Sequence, residues 1–277
     1  MNIKVDWLSL TLPLVRGVGD VETDEASHAI NDTMRQWMPE RDILAIFDGA
    51  NEAGGGRTPY SNSWHFPSTL VTVYANPKLD HILLEFSGQS CEVMRQLGVM
   101  ERLLAIGRKR ATRLDIAIDI PTTTKPVDFV GKGHNERFKT VGQYDSQSGQ
   151  TVYIGSQKSE RFCRVYRYAE PHPRAKLLRV EYVMRRDHAK VAAAAINARG
   201  IENVAQGLSE AYGWQSLEIY QEGVEAAEIA VERPEKARKN AVRWLITQVA
   251  PAFQRLVREG NIADAQTFLE EHFLKGI

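Results

Sequence analysis

The sequence predicts an α+β protein, a mostly antiparallel β-sheet core covered by helices, with a C-terminal helical extension. Three observations carry this. Short runs of alternating or β-branched residues recur between residues 4 and 186. Clusters of turn formers, such as AEPHPRAK at 169–176, join neighbouring runs as antiparallel strands require. Beyond residue 186 the pattern takes a helical period, which divides the chain into an α+β domain over 1–186 and a helical extension over 187–277.

Each element follows from its own pattern. KVDWLSLTL (4–12) is rich in strand formers. DEASHAINDTMRQWM (24–38) is helical, with Asp24 at the N-cap, where a carboxylate can accept from an orphan backbone N–H. NEAGGGRTPYSN (51–62) reads as a flexible loop, because three consecutive glycines remove any regular preference. SWHF, TLVTVYANP and HILLEFSG then form a meander of strands between 63 and 88. One helix is expected from about Ser90 to Gly107, with Val93, Leu97, Met100, Leu103 and Leu104 on one side. DHAKVAAAAINARG is an alanine-rich helix that stops at Gly200. ARKNAVRWLITQVAPAFQRLVREG and IADAQTFLEEHFLKG make a final helical pair, and no internal repeat is evident.

Composition narrows the function classes. A chain of 277 residues with 43% hydrophobic content can bury one large core or two modest ones. Cys91 and Cys163 form no CxxC pair, so there is no zinc framework, and reduced thiols in the cytoplasm are expected. No run approaches the ~20 apolar residues of a membrane span, so no membrane partner is expected. Formal net charge is zero, but the charges are segregated. Nine basic residues stand against three acidic ones between Ser156 and Arg186, whereas 200–235 holds eight glutamates and a single arginine. A basic binding face with an acidic back produces this polarity, and so do ordinary solvated faces.

Chemistry concentrates in three central strands. In RLDIAIDI, Leu114, Ile116, Ile118 and Ile120 alternate with Arg113, Asp115, Ala117 and Asp119, so period two sends both aspartates to the face opposite the aliphatics. In RFCRVYRY, Phe162, Arg164, Tyr166 and Tyr168 share one face while Cys163 and Val165 share the other. LLRVEYVM places Arg179 and Glu181 opposite Leu178, Val180, Tyr182 and Met184. A hairpin centred near His172 sets Tyr166 across from Arg179 and Arg164 across from Glu181. A phenol, carboxylates and guanidiniums on one face suit phosphodiester transfer. A tyrosine of pKa about 10 needs help to become a nucleophile. Carboxylate oxygens suit a hard divalent cation, and arginine forks match phosphate oxygens. Cross-strand salt bridges on a solvated face are the plain alternative.

The motifs VDWLSLTLP, SGQSC (87–91), RLDIAIDI (113–120), GQTVYIGSQKSERFCRVYRYAE (149–170) and LLRVEYVMR (177–185) occur in this order. Over about residues 4–186 they resemble those of the replication initiation factor family, the Rep_trans group of rolling-circle plasmid and filamentous-phage initiators. The resemblance implies a DNA nickase and strand-transfer endonuclease, whose tyrosine attacks one strand of origin DNA and stays linked to its 5′ phosphate. It implies Mg²⁺ or Mn²⁺ as cofactor, a host helicase and a second copy of the chain as partners, and a DNA-nicking role for residues 1–186. DNA specificity or dimerisation would then fall to 187–277. By motif position the nucleophile is Tyr166, with Tyr153 as the rival. By the same matching, Asp115, Asp119, Glu181 and Asp6 are the acidic residues expected to support the metal. Arg164 and Arg179 flank Tyr166 in the expected hairpin and Lys158 and Arg161 lie just before it, so these four are the expected cations for DNA. The alternative within this fold is a DNA-binding protein that does not nick. The seven histidines never fall two apart, so a metal site must rest on carboxylates.

Overall fold

The computed structural model describes residues 1–15, 23–49, 51–131, 140–146, 149–214 and 254. The chain divides into two compact units, Met1–Ala230 and Val231–Ile277, and the described fold belongs to the first. The helical pair expected near the C-terminus lies outside the described residues, apart from Gln254.

The strands are β1 (Asn2–Pro13), β2 (Asn51–Gly55), β3 (Asn62–Phe66), β4 (Val71–Ala75), β5 (His81–Ser87), β6 (Ala111–Pro121), β7 (Thr140–Ser146), β8 (Gly149–Ile154), β9 (Arg161–Tyr168) and β10 (Leu177–Arg185). They form one ten-stranded sheet in the order β2-β3-β4-β5-β1-β6-β10-β9-β8-β7, with every pairing antiparallel. The helices are α1 (Thr23–Arg35), α2 (Glu40–Ile46), α3 (Gly88–Gln96), α4 (Met100–Arg110), α5 (Pro126–Gly131), α6 (Asp187–Arg199) and α7 (Ile201–Ala211). The α+β class and the antiparallel sheet are as the sequence predicts.

Alternation decides which face of the sheet is covered. Leu8, Leu10, Ile82, Leu84, Leu114, Ile116, Ile118, Val180, Tyr182 and Met184 have no exposed surface, and their register places them on one face. The helices close over that face. In α6 the fully buried Ala189, Ala192 and Ala193 have side chains short enough for close approach. The neighbouring α4 contributes Gly107, where a Cβ would stand 3.1 Å from that of Ala193. The opposite face carries the polar members of the same strands.

Three local expectations are corrected. Residues 51–55 form the edge strand β2, because a ladder needs only backbone groups and its glycines pair with β3 across a bulge. The helix expected from Ser90 to Gly107 is two helices. Gly98 adopts φ +68 between them, a conformation that ends α3 and redirects the chain into α4. Asp24 lies inside α1, which begins at Thr23. The elements α2, α5, β7 and α7 have no counterpart in the sequence pattern as read above.

The strand order also has a symmetry that the sequence pattern conceals. From the outside inward, β2-β3-β4-β5-β1 and β7-β8-β9-β10-β6 are the same arrangement. Each half is a leading strand, a helical segment, and a four-strand meander whose last member pairs with the leading strand. Two helices follow in each case. The antiparallel pair β1–β6 joins the halves.

Candidate active site

The hairpin β9–β10 has the register expected from its turn. Tyr166 pairs with Arg179, and Arg164 with Glu181. The Tyr166 hydroxyl donates to Glu181 Oε2 at 3.1 Å, and Arg164 Nη2 donates to Glu181 Oε1 at 2.5 Å. One carboxylate therefore receives a phenol and a guanidinium on its two oxygens. Glu181 is 1% exposed, so this pairing is set in a protein environment rather than in water.

Next to it, β6 supplies Asp119 and Asp115. Arg179 Nε and Nη2 donate to the two oxygens of Asp119 at 2.6 and 2.8 Å, a forked pair. Arg179 Nη1 reaches Asp6 at 3.1 and 3.2 Å. Asp6 gets there through a β-bulge. Lys4 pairs with Ala117 and Trp7 with Asp115, so both face the open side, and the register shift between Val5 and Trp7 leaves Asp6 as the extra residue. A bulge re-aims a side chain in this way. Asp115 is fully buried and gripped by Arg113, at 3.0 Å from Nε and 2.5 Å from Nη2.

Electrostatics follow from this burial. Desolvation pushes the Asp115 carboxyl up to about 7, with Arg113 opposing and Glu181 adding to the shift. Burial also raises Asp6, against the pull of Arg179. The Tyr166 phenol is pushed well above its usual value, first by burial and then by the charge of Glu181, so it rests protonated.

The site opens into a groove of about 500 Å³ lined by Asp6, Trp7, Gly88, Gln89, Arg164, Tyr166, Tyr168, His172, Arg174 and Arg179. Tyr168 stacks on His172 with centroids 3.9 Å apart, and Tyr166 meets Tyr168 edge-on at 5.4 Å. The SGQSC segment enters through Gly88 and Gln89, which line the groove with Asp6.

The remaining sequence candidates are placed as follows. Tyr153 lies across from Arg164 on β8, one strand further from Glu181 than Tyr166. Lys158 sits exposed in the turn between β8 and β9, away from the carboxylates. Arg161 has the parity of Cys163 and Val165, so it belongs to the helix-covered face and not beside Arg164. Arg179 is 3% exposed and spends its donors on Asp6 and Asp119. Arg164 keeps a buried Nε with no protein partner among the described residues, which makes it the freer cation. His172 and Arg174 are groove residues that the sequence reading missed, and only the position of the hairpin turn could have marked them.

The donor set suits a hard divalent cation, because Asp6, Asp115, Asp119 and Glu181 offer only oxygens and two of them have raised pKa values. Arginines are interleaved with these carboxylates, and among the described residues no three potential ligands converge at metal-holding spacing.

No protein-family model matches the sequence, and no curated protein matches it. Among solved structures, the chain is similar to one described as a rolling circle replication initiator protein from Geobacillus stearothermophilus. The TM-score is 0.55 at 19% identity, over 82% of this chain and 94% of that one. The chain has the fold of that initiator. Among the described residues, no helix is long and apolar enough to cross a membrane.

Proposed function

We propose that the protein is a rolling-circle replication initiator that nicks one strand of its origin DNA with Tyr166. The observation that carries this reading is the hydrogen bond to the buried Glu181 from the hydroxyl of Tyr166, which lines the groove together with Arg164. It is supported by the shared fold with an initiator.

In this mechanism the Tyr166 Oη attacks the phosphorus of a phosphodiester, and the phenol proton passes to Glu181, already its acceptor. A bond forms between Oη and phosphorus, and the bond from phosphorus to the 3′ oxygen breaks. That oxygen leaves with the electron pair, takes a proton from water, and becomes a 3′ hydroxyl able to prime synthesis. Burial disfavours a free phenolate, so proton transfer to Glu181 accompanies attack. Arg164, whose guanidinium lies 5.4 Å from the centre of the Tyr166 ring, holds a non-bridging oxygen. Arg179 acts through Asp6 and Asp119, fixing their carboxylates. Asp6, Asp115, Asp119 and Glu181 are the residues that would hold Mg²⁺ or Mn²⁺, which when bound would supply Lewis-acid polarisation of the phosphate. Because no three of them converge at metal-holding spacing, no step is routed through the ion. The proposed partners are origin DNA, a host helicase and a second copy of the chain, in the cytoplasm of the cell that carries the element.

The direct test is incubation with a labelled single-stranded origin oligonucleotide and Mn²⁺, followed by denaturing electrophoresis. A labelled protein band supports nicking. Salt-sensitive binding with no such band supports the DNA-binding alternative.

Two further results are expected. Mn²⁺ should raise the melting temperature, by an amount worth about 2.7 kcal/mol at a hundred times its Kd. Glu181→Gln should lose that shift, and an unaltered melting temperature in Mn²⁺ and Mg²⁺ would remove the metal from the account. Arg164→Gln should make the salt dependence of single-strand binding shallower by about 0.7 in log–log slope, the counterion release of one phosphate. An unchanged slope places the DNA elsewhere.

A further inference from the structure

The two halves of the sheet can be superposed by register alone. Glu85 on β5 pairs with Ser9 on β1, as Glu181 on β10 pairs with Ala117 on β6. Thr72 pairs with Glu85 and Tyr74 with Leu83, as Arg164 pairs with Glu181 and Tyr166 with Arg179. Tyr74 is thus the counterpart of Tyr166, and Glu85 of Glu181. A two-fold axis normal to an antiparallel sheet keeps each residue on its own face, so both tyrosines stand on the open face.

The first half has kept part of the chemistry and lost the rest. Arg57, from the loop after β2, reaches Glu85 at 2.5 Å and lies 4.6 Å from the centre of the Tyr74 ring. This repeats the contacts of Arg164 with Glu181 and the Tyr166 ring. The counterparts of Arg179 and Asp119, however, are Leu83 and Thr11, and Trp7 stands where Asp115 would be. Two carboxylates lie there, Glu85 bound to Arg57 and Asp80 bound to His81, and among the described residues no group of three potential ligands is placed to gather a cation for cleavage. Aromatic rings take its place. Tyr60 lies 6.2 Å from Tyr74 and 5.9 Å from His81, and all three rings are half-buried rather than sealed in the core.

We propose that this first half is a second, non-cleaving nucleic-acid subsite, where Arg57 and the rings of Tyr60, Tyr74 and His81 hold the same single strand that Tyr166 cuts. The inference rests on the nicking function proposed above. Half-buried rings offer base-stacking surfaces without choosing a sequence, and an arginine beside them can face a phosphate. The occupant follows from continuity, since both sites lie on one uninterrupted sheet face. Five strand-to-strand steps separate β4 from β9. At about 4.8 Å each they span about 24 Å. That is about 7 nucleotides at the ~3.4 Å rise of a stacked strand.

The experiment measures binding of oligothymidylates of 4 to 16 nucleotides by fluorescence anisotropy, with the Tyr166→Phe protein as the uncut parent. Adding Tyr74→Ala should weaken binding of the longer oligonucleotides about tenfold, the loss of one base stack. Binding of the 4-mer, too short to bridge the sites, should be unchanged. Tyr74→Phe should bind like the parent, since stacking needs the ring and not the hydroxyl. Arg57→Ala, at an exposed position, should reproduce the loss without a packing defect. Equal binding of long oligonucleotides by the parent, Tyr74→Ala and Arg57→Ala overturns the inference alone. A parent that binds no oligonucleotide of any length overturns the nucleic-acid reading as a whole. A covalent adduct at Tyr74 in Tyr166→Phe protein supplied with Mn²⁺ overturns the non-cleaving assignment.

Discussion

Tyr166→Phe should abolish the covalent protein–DNA adduct while leaving DNA binding and folding nearly intact. The substitution removes one oxygen and keeps the ring, so the edge-on contact with Tyr168 and the stacking beneath Arg164 survive. What disappears is the hydroxyl that donates to Glu181. Losing a hydrogen bond to a charged group costs about 1.5–3 kcal/mol, softened here because Arg164 still satisfies the other carboxylate oxygen. The chemical effect is larger in kind. Water in the vacated place could hydrolyse a strand but could not leave phosphate on the protein. Tyr153→Phe and Tyr168→Phe should both keep the adduct, because neither is paired with Glu181 in the way Tyr166 is. Retention of the adduct in Tyr166→Phe would transfer the role to another tyrosine. The measurement is adduct yield beside the melting temperature of each variant.

Arg179→Ala should be the most destabilising single change in the site, by about 3–5 kcal/mol, the cost of removing one partner from a buried ion pair. Arg179 is nearly sealed from solvent and holds Asp119 by two bonds and Asp6 by two more. Without it, two desolvated carboxylates are left with Lys4, 3.7 Å from Asp119, as the nearest cation. Arg179→Lys should recover little, since an ammonium cannot span both aspartates with a planar fork. By contrast, Arg186→Ala, whose side chain is 79% exposed and pairs with Glu160, should melt close to the parent protein. Thermal denaturation of the three variants decides this. Equal melting of Arg179→Ala and the parent would mean that the aspartates do not depend on the arginine.

The parts of this site that were legible in the sequence are those governed by period two. Alternation in β6, β9 and β10, together with the turn formers at 169–176, locks the register, because a one-residue slip would turn Val165 and Val180 outward. The pairing of Tyr166 with Arg179 and of Arg164 with Glu181 therefore followed from pattern alone. Asp6 was nominated by motif but not placed, since a bulge is invisible to a strict two-residue period. Arg161 was grouped with its neighbours by closeness in sequence, although strand parity separates it from Arg164. The strand β2 was hidden by its glycines, whose contribution to the ladder is entirely backbone. The duplication escaped for another reason. Equivalent positions now carry different chemistry, Arg164 against Thr72, Arg179 against Leu83 and Asp119 against Thr11, so only the pairing preserves it.

The central claim is that Tyr166 is the nucleophile, and mapping the nucleotide-linked peptide by mass spectrometry tests it most directly. Trypsin separates the candidates, since Tyr166 falls in the peptide 165–167, Tyr168 in 168–174 and Tyr153 in 140–158. After reaction with a single-stranded origin oligonucleotide and Mn²⁺, the added nucleotide mass is expected on 165–167. Its appearance on 140–158, or no adduct on any peptide, would contradict the account.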